Sequence, residues 1–170
     1  MHKKSHYIVL LFTLCFFLNK AQYTNEIKGF LKNVKEASFY DSTNLFKVGQ
    51  ETIKKASQVD KNKGAIAEVY LYYGNYFYYT RNTTRAKRYF AQSIEEAEKS
   101  GNRHIKTLSG IRLIFMEHEE GLNPNAETEL RIILEETKKT KDYENTAEIL
   151  NLLGIIKEEQ NQLQESAKLY

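Results

Sequence analysis

Residues 70–90, from Tyr70 to Phe90, read YLYYGNYFYYTRNTTRAKRYF. Steps of three and four residues return a helix to the same side, so Tyr70, Tyr73 and Phe77 share one face. Arg81-Asn82-Thr83 is a short polar break. Beyond it Ala86, Tyr89, Phe90, Ser93, Ile94 and Ala97 recur at the spacing of an amphipathic helix. The stretch therefore predicts two helices joined by a tight turn, with Gly74 and Ala86 as small residues among bulky ones.

Forty residues further along, the same organisation returns. The shift lays Ile94-Glu95-Glu96 over Leu134-Glu135-Glu136 and aligns Asn62, Asn102 and Asp142, three residues of helix N-cap type. It also places Gly74 two periods before Gly154, and a second stripe appears at Ala126, Leu130, Ile133 and Leu134. Polar breaks follow at Gly101-Asn102, Gly121-Leu122-Asn123-Pro124, Lys141-Asp142 and Gln160-Asn161-Gln162. Pro124 stands where a helix starts, the position at which proline is tolerated. One Pro and eight Gly in 170 residues argue against a turn-rich β-sandwich or barrel. The expected fold class is all-α, with seven or eight antiparallel helices and short loops.

These residues resemble the tetratricopeptide repeat family, whose pattern is a large aromatic, Leu-Gly, Tyr, then Ala and Phe at fixed offsets. The best unit gives Tyr70, Tyr73-Gly74 and Phe77, then Ala86 and Phe90. The last gives Leu150, Leu153-Gly154 and Lys157, then Ser166 and Tyr170, while the middle unit keeps Gly110, Leu113-Ile114, Glu117, Ala126 and Leu130. In all three the Gly and Ala positions lie twelve apart. The family's terminal Pro is replaced by Glu98 and Lys138, and the period is forty rather than thirty-four, as in long-period exported bacterial members. Without Pro the second helix of each pair can run on for another turn. The resemblance implies a right-handed superhelical stack of helix pairs. In it Gly74 and Gly154 would let the second helix approach, with Ala86 and Ser166 opposite.

Three segments follow: 1–21 as an export signal, 22–62 as a degenerate leading helix pair and 63–170 as an array of about three repeats. Phe30, Leu31 and Val34 mark the first leading helix; Leu45, Phe46, Val48, Gly49, Ile53 and Ala56 mark the second. The last second helix starts near Gln162 and reaches only Tyr170, leaving Leu163, Ala167 and Tyr170 without a successor. This reading expects a longer array, or self-association through that uncapped end.

The N-terminus carries Lys3 and Lys4, an apolar run from Tyr7 to Leu18, and Ala21 before a polar stretch, the layout of a secretory signal. The run is shorter than the ~20 residues that span a bilayer. Cleavage is expected near Ala21, giving an exported chain, periplasmic or secreted; retention of the signal as an anchor is the other reading. Three of the 25 basic residues, Lys3, Lys4 and Lys20, precede that point, so those remaining balance the 22 acidic ones. The formal charge of +3 belongs to the signal and gives no reason to expect nucleic acid. Cys15 lies in the signal, which excludes a disulfide framework in the body.

No convergent catalytic set is present, and neither an enzyme activity nor a cofactor is expected. His118-Glu119-Glu120 resembles the start of a zinc-protease helix, but the residue four on is Leu122, so no metal is expected there. The sharper feature is aromatic: seven of the twelve Tyr lie between Tyr70 and Tyr89. Packing accounts for Tyr70, Tyr73 and Phe77, leaving Tyr72, Tyr76, Tyr78 and Tyr79 either for a binding surface or for cover by neighbouring helices. The resemblance implies a concave face formed by the first helix of each pair. That face would carry Leu71, Asn75, Tyr78 and Tyr79, then Ile111, Phe115 and His118, then Asn151, Ile155 and Glu158. It implies an interaction module that binds a peptide or helix of another protein. Long-period arrays with a signal also resemble the periplasmic sensing part of bacterial transcriptional regulators or histidine kinases, which is the second reading.

Overall fold

The computed structural model describes residues 23–40 and 42–169; the expected export signal at 1–21, Cys15 and the motif residue Tyr170 lie outside them. The described residues form helices α1 (Asn25–Tyr40), α2 (Ser42–Ala56), α3 (Gly64–Tyr79), α4 (Thr83–Ser100), α5 (Arg103–Glu119), α6 (Ala126–Thr140), α7 (Tyr143–Glu159) and α8 (Leu163–Ser166). A 3-10 turn at Asp60–Asn62 precedes α3, and no strand occurs among the described residues. The described residues form an all-helical body, with each helix packed on its neighbours. No helix among the described residues is long and apolar enough to cross a membrane.

The turns explain the period. Backbone φ is positive at Arg81, Gly101, Gly121, Lys141 and Asn161, one residue in every twenty. At each, the next amide reaches back to a carbonyl five residues earlier: Asn82 to Phe77, Asn102 to Ala97, Leu122 to Glu117, Asp142 to Thr137 and Gln162 to Lys157, all at 2.8–2.9 Å. This bond pattern closes a helix C-terminus around one left-handed residue and satisfies its last carbonyls. Three of the turns then start the next helix with a side-chain cap, where Asn82, Asn102 and Asp142 accept from the amides of Arg85, Ile105 and Asn145. Asn62 departs from that expectation. It is buried in the 3-10 turn, and its Oδ1 accepts from the Thr24 amide at 3.0 Å, so it serves the start of α1 rather than of α3. The turn aims its side chain at the neighbouring helix, and Lys63, at the N-cap of α3, supplies no side-chain cap.

Consecutive helices run antiparallel. On α3 and α4, Ala67 meets Ser93 while Gly74 meets Phe90; on α6 and α7, Thr137 meets Thr146 while Glu127 meets Lys157. Odd-numbered helices touch one another in parallel: α5 and α7 join through His104–Asp142, Arg112–Glu148 and His118–Glu159. Three apolar clusters fill the spaces between pairs. The first is built on Val34, Leu45 and Val69, the second on Ala67, Ala86 and Phe90, and the third on Ile111, Leu130 and Leu153. A Cβ added at Gly74 would first meet the Phe90 ring, at 2.6 Å, so the residue laid on this glycine is Phe90; Ala86 is fully buried in the same cluster. In the last pair Lys157 takes the slot of Phe77 and is still buried. Its ammonium donates to Glu127 Oε2 at 3.0 Å and to Gln162 Oε1 at 2.8 Å, which compensates the lost hydration. Ser166 is buried as well, donating to Glu158 Oε1 at 3.0 Å.

Candidate functional site

Helix α3 is apolar on nearly every side, because α1, α2, α4 and α5 all pack on it. Its aromatics divide accordingly. Tyr73 is buried and donates to the Phe46 carbonyl at 3.3 Å; Tyr76 packs edge-on against Phe46 and Phe77; Tyr70 stacks on Tyr89. Tyr78 is half-buried, and burial together with the Glu119 carboxylate pushes its hydroxyl pKa up to about 12. Tyr72, packed on the first cluster, and Tyr79, edge-on to Tyr78, also line an open groove.

The groove has a volume of about 470 Å³ and is lined by odd-numbered helices only, apart from Asn102 in the turn before α5. Its floor is Leu71 and Ile105, both nearly fully buried. At its rim Phe39 of α1 and Tyr79 of α3 are 55% and 57% exposed, with ring centroids 6.5 Å apart. Large aromatics left this open are unusual on a packed helical body and supply the groove's apolar contact area.

One wall is polar and connected. Asn102, with its Oδ1 capping α5 through the Ile105 amide, donates from Nδ2 to the Tyr23 hydroxyl at 2.9 Å. The Glu68 carboxyl lies close to the same Tyr23 hydroxyl. Burial nonetheless holds the Glu68 carboxyl above its ordinary pKa, against the opposing effects of Tyr23, His104 and Lys35. Burial, with Glu68 and Glu144 close by, also raises the Tyr72 hydroxyl well above its ordinary value. No cationic side chain lies within ion-pair distance of Glu68 among the described residues.

His104 and Arg112 are engaged by other acidic groups. His104 Nδ1 stands 3.0 Å from both oxygens of Asp142, and its Nε2 is 3.4 Å from Glu144 Oε2. The fully buried Asn145 ties this corner down, donating to the His104 carbonyl at 3.0 Å and to Asp142 Oδ2 at 2.8 Å. On the far wall Arg112 Nη2 meets Glu148 Oε1 at 2.8 Å. That approach is off the hydrogen-bond direction, and Arg112 Nε has no acceptor among the described residues. Lys35 is exposed at the mouth. No group of three or more His, Cys, Asp or Glu suited to hold a metal occurs among the described residues.

The expected concave face is only partly brought together. Leu71, Asn75 and Tyr79 line the groove, Leu71 as floor rather than as exposed surface. Phe115 is buried in the third cluster together with Ile111, and Ile155 packs against that cluster. His118 Nε2 pairs with Glu159 at 2.9 Å, and Asn151 is exposed outside the groove. Glu68, Tyr72, His104, Arg112, Glu144 and Glu148 occupy the face instead. One signal in the sequence pointed there: Glu68 is the single charged residue in the sixteen of α3.

No family model, curated protein or solved structure matches the chain.

Proposed function

We propose that the chain is an exported interaction module of tetratricopeptide-repeat type, a right-handed superhelical stack of helix pairs that binds a peptide or helix of another protein. The observation that carries this reading is the groove along the odd-numbered helices, with its apolar floor, exposed aromatic rim and buried polar wall. A groove of that composition offers area through Leu71, Phe39 and Tyr79 and orientation through Asn75 and Glu68, the division of labour found in binding clefts. The twenty-residue recurrence of left-handed turns supports the repeat assignment, since it makes each forty-residue unit one pair of helices. The binding site is formed by these helices alone, with no catalytic group or cofactor, in the periplasm or outside the cell.

The test is site-specific photo-crosslinking in the exporting cell. A photoreactive side chain at Tyr79 captures a partner, whereas the same group at exposed Lys54 on α2 or Arg131 on α6 does not. Asn75→Ala combined with Tyr79→Ala abolishes capture while far-ultraviolet circular dichroism is unchanged. Equal capture from all three positions removes the groove from consideration.

A further inference from the structure

The groove's charges are unbalanced in depth. Glu68, Glu144 and Glu148 face it, against Arg112, Lys35 and the imidazole of His104. Arg112 lies against Glu148, His104 is bracketed by Asp142 and Glu144, and Lys35 stands at the exposed mouth. Glu68 is left as a partly buried carboxylate beside the Tyr23 hydroxyl, with no ion pair among the described residues. A buried charge without a counter-charge is costly, and a cation that reaches it from outside recovers that cost on binding. The same wall presents Tyr72, and the rim presents Phe39 and Tyr79, ring faces that attract a cation within ~6 Å.

We propose that the groove recognises a basic side chain: an arginine or lysine on the bound segment enters between Tyr72 and the Phe39–Tyr79 rim and sets its cation against Glu68. Glu144, more exposed and nearer the solvent, supplies a second carboxylate along the same path. The aliphatic stem of the side chain covers Leu71 while the head is neutralised, which suits the groove's apolar floor and polar wall together. Arg112, held against Glu148, provides specificity by repelling the same cation from the far wall. This inference rests on the groove being the binding site and adds the chemistry of its occupant.

A random-peptide display library is selected against the full chain, against Glu68→Gln and against Tyr72→Leu. Sequences recovered on the full chain are enriched in Arg or Lys at one position. Replacing an arginine there by citrulline, or a lysine by norleucine, as neutral analogues, weakens binding in fluorescence anisotropy by roughly ten- to a hundredfold, the range of a charge-assisted hydrogen bond. Glu68→Gln removes this discrimination, Tyr72→Leu reduces it, and Glu98→Gln on exposed α4 leaves it intact. Circular dichroism spectra matching the unaltered chain show that the variants are folded. Peptides that depend on Tyr79 but carry no basic preference overturn the inference and leave the binding module standing. Acidic enrichment, or no peptide recovered at all, also overturns it. So does concentration-dependent dimerisation in ultracentrifugation that Tyr79→Ala abolishes, since the groove would then hold a second copy.

Discussion

Adding one methyl group at Gly74 tests the packing of the α3–α4 pair, because two effects of opposite sign meet there. In an exposed helix Gly→Ala is stabilising by up to about 1 kcal/mol, since alanine loses less backbone entropy. At Gly74 the new Cβ would stand 2.6 Å from Phe90 Cδ1 and Cε1. That is about 1 Å inside an ordinary carbon–carbon contact of roughly 3.5–4.0 Å. The ring is fully buried and has no flexible end to give way, so ring and helix must separate. Overpacking of this kind costs about 1–3 kcal/mol, and after a propensity gain of about 1 kcal/mol Gly74→Ala is expected to lose about 0–2 kcal/mol. Thermal unfolding followed by circular dichroism should show a fall of up to roughly 8 °C. Gly29 is the control: it lies exposed on α1 with nothing within 4 Å of an added Cβ, so Gly29→Ala should raise stability. Phe90→Leu in the Gly74→Ala background should cost less than the sum of the two single changes, because the smaller side chain makes room for the methyl. If Gly74→Ala is as stable as Gly29→Ala, or shows no coupling to Phe90, the close approach of α4 to α3 at this glycine is refuted.

Ser93 donates to the Ala67 carbonyl at 2.8 Å and accepts from Ser109 at 2.7 Å, with both serines fully buried. Ser93→Ala strands the Ser109 hydroxyl and should cost about 1–3 kcal/mol, more than Ser109→Ala, which strands no donor; urea titration of both variants gives the order. Lys141 holds φ at 56° in the turn slot that Gly101 fills forty residues earlier. Lys141→Gly should therefore raise stability by about 0.5–1 kcal/mol in the same titration, and Gly101→Lys should lower it. Burial raises the Glu68 carboxyl pKa, so the folded chain holds that proton more tightly than the unfolded one, and stability is lost as pH rises through the ordinary carboxylate range into the raised one. Glu68→Gln should accordingly unfold at a higher temperature than the unaltered chain at pH 7, with the difference fading near pH 4; a lower melting temperature at pH 7 would mean that the carboxylate stabilises the fold.

The helices and their spacing were legible because the signals behind them are local. Each break supplies a left-handed turn residue and, in three turns, a capping side chain within two positions, and both leave a mark in the sequence. The amphipathic stripe of α4 marks its core side directly: Ala86, Phe90, Ser93 and Ala97 are the residues it buries. Asn62 shows where local reading fails. Its type and spacing match Asn102, but a 3-10 turn ahead of α3 aims its amide at Thr24, thirty-eight residues away. Nothing within a few residues of position 62 encodes that.

The groove was harder to read for a geometric reason. A helix packed on nearly every side has no polar stripe to reveal which face stays open, and α3 is such a helix. Carrying a face over by motif register assumes that the site crosses each helix at the same level, and here it does not. The groove takes Lys35 and Phe39 from the end of α1, Glu68 to Tyr79 from most of α3, His104 to Arg112 from the first half of α5, and Glu144 and Glu148 from the start of α7. The cleft thus runs obliquely, moving toward helix N-termini as it passes from α1 to α7. Phe115, His118, Asn151 and Ile155 keep the register of Asn75, Tyr78, Leu71 and Asn75 in their own units, yet they lie beyond the point where the cleft leaves their helices. Among the residues that replace them are Glu68, the single charged residue of α3, and the ion-paired Arg112 of α5 and Glu148 of α7. In a stack where every first helix is covered by its neighbours, an interior charge survives only where a cleft or a counter-charge receives it. The lone charge of α3 therefore locates the open face better than motif register does.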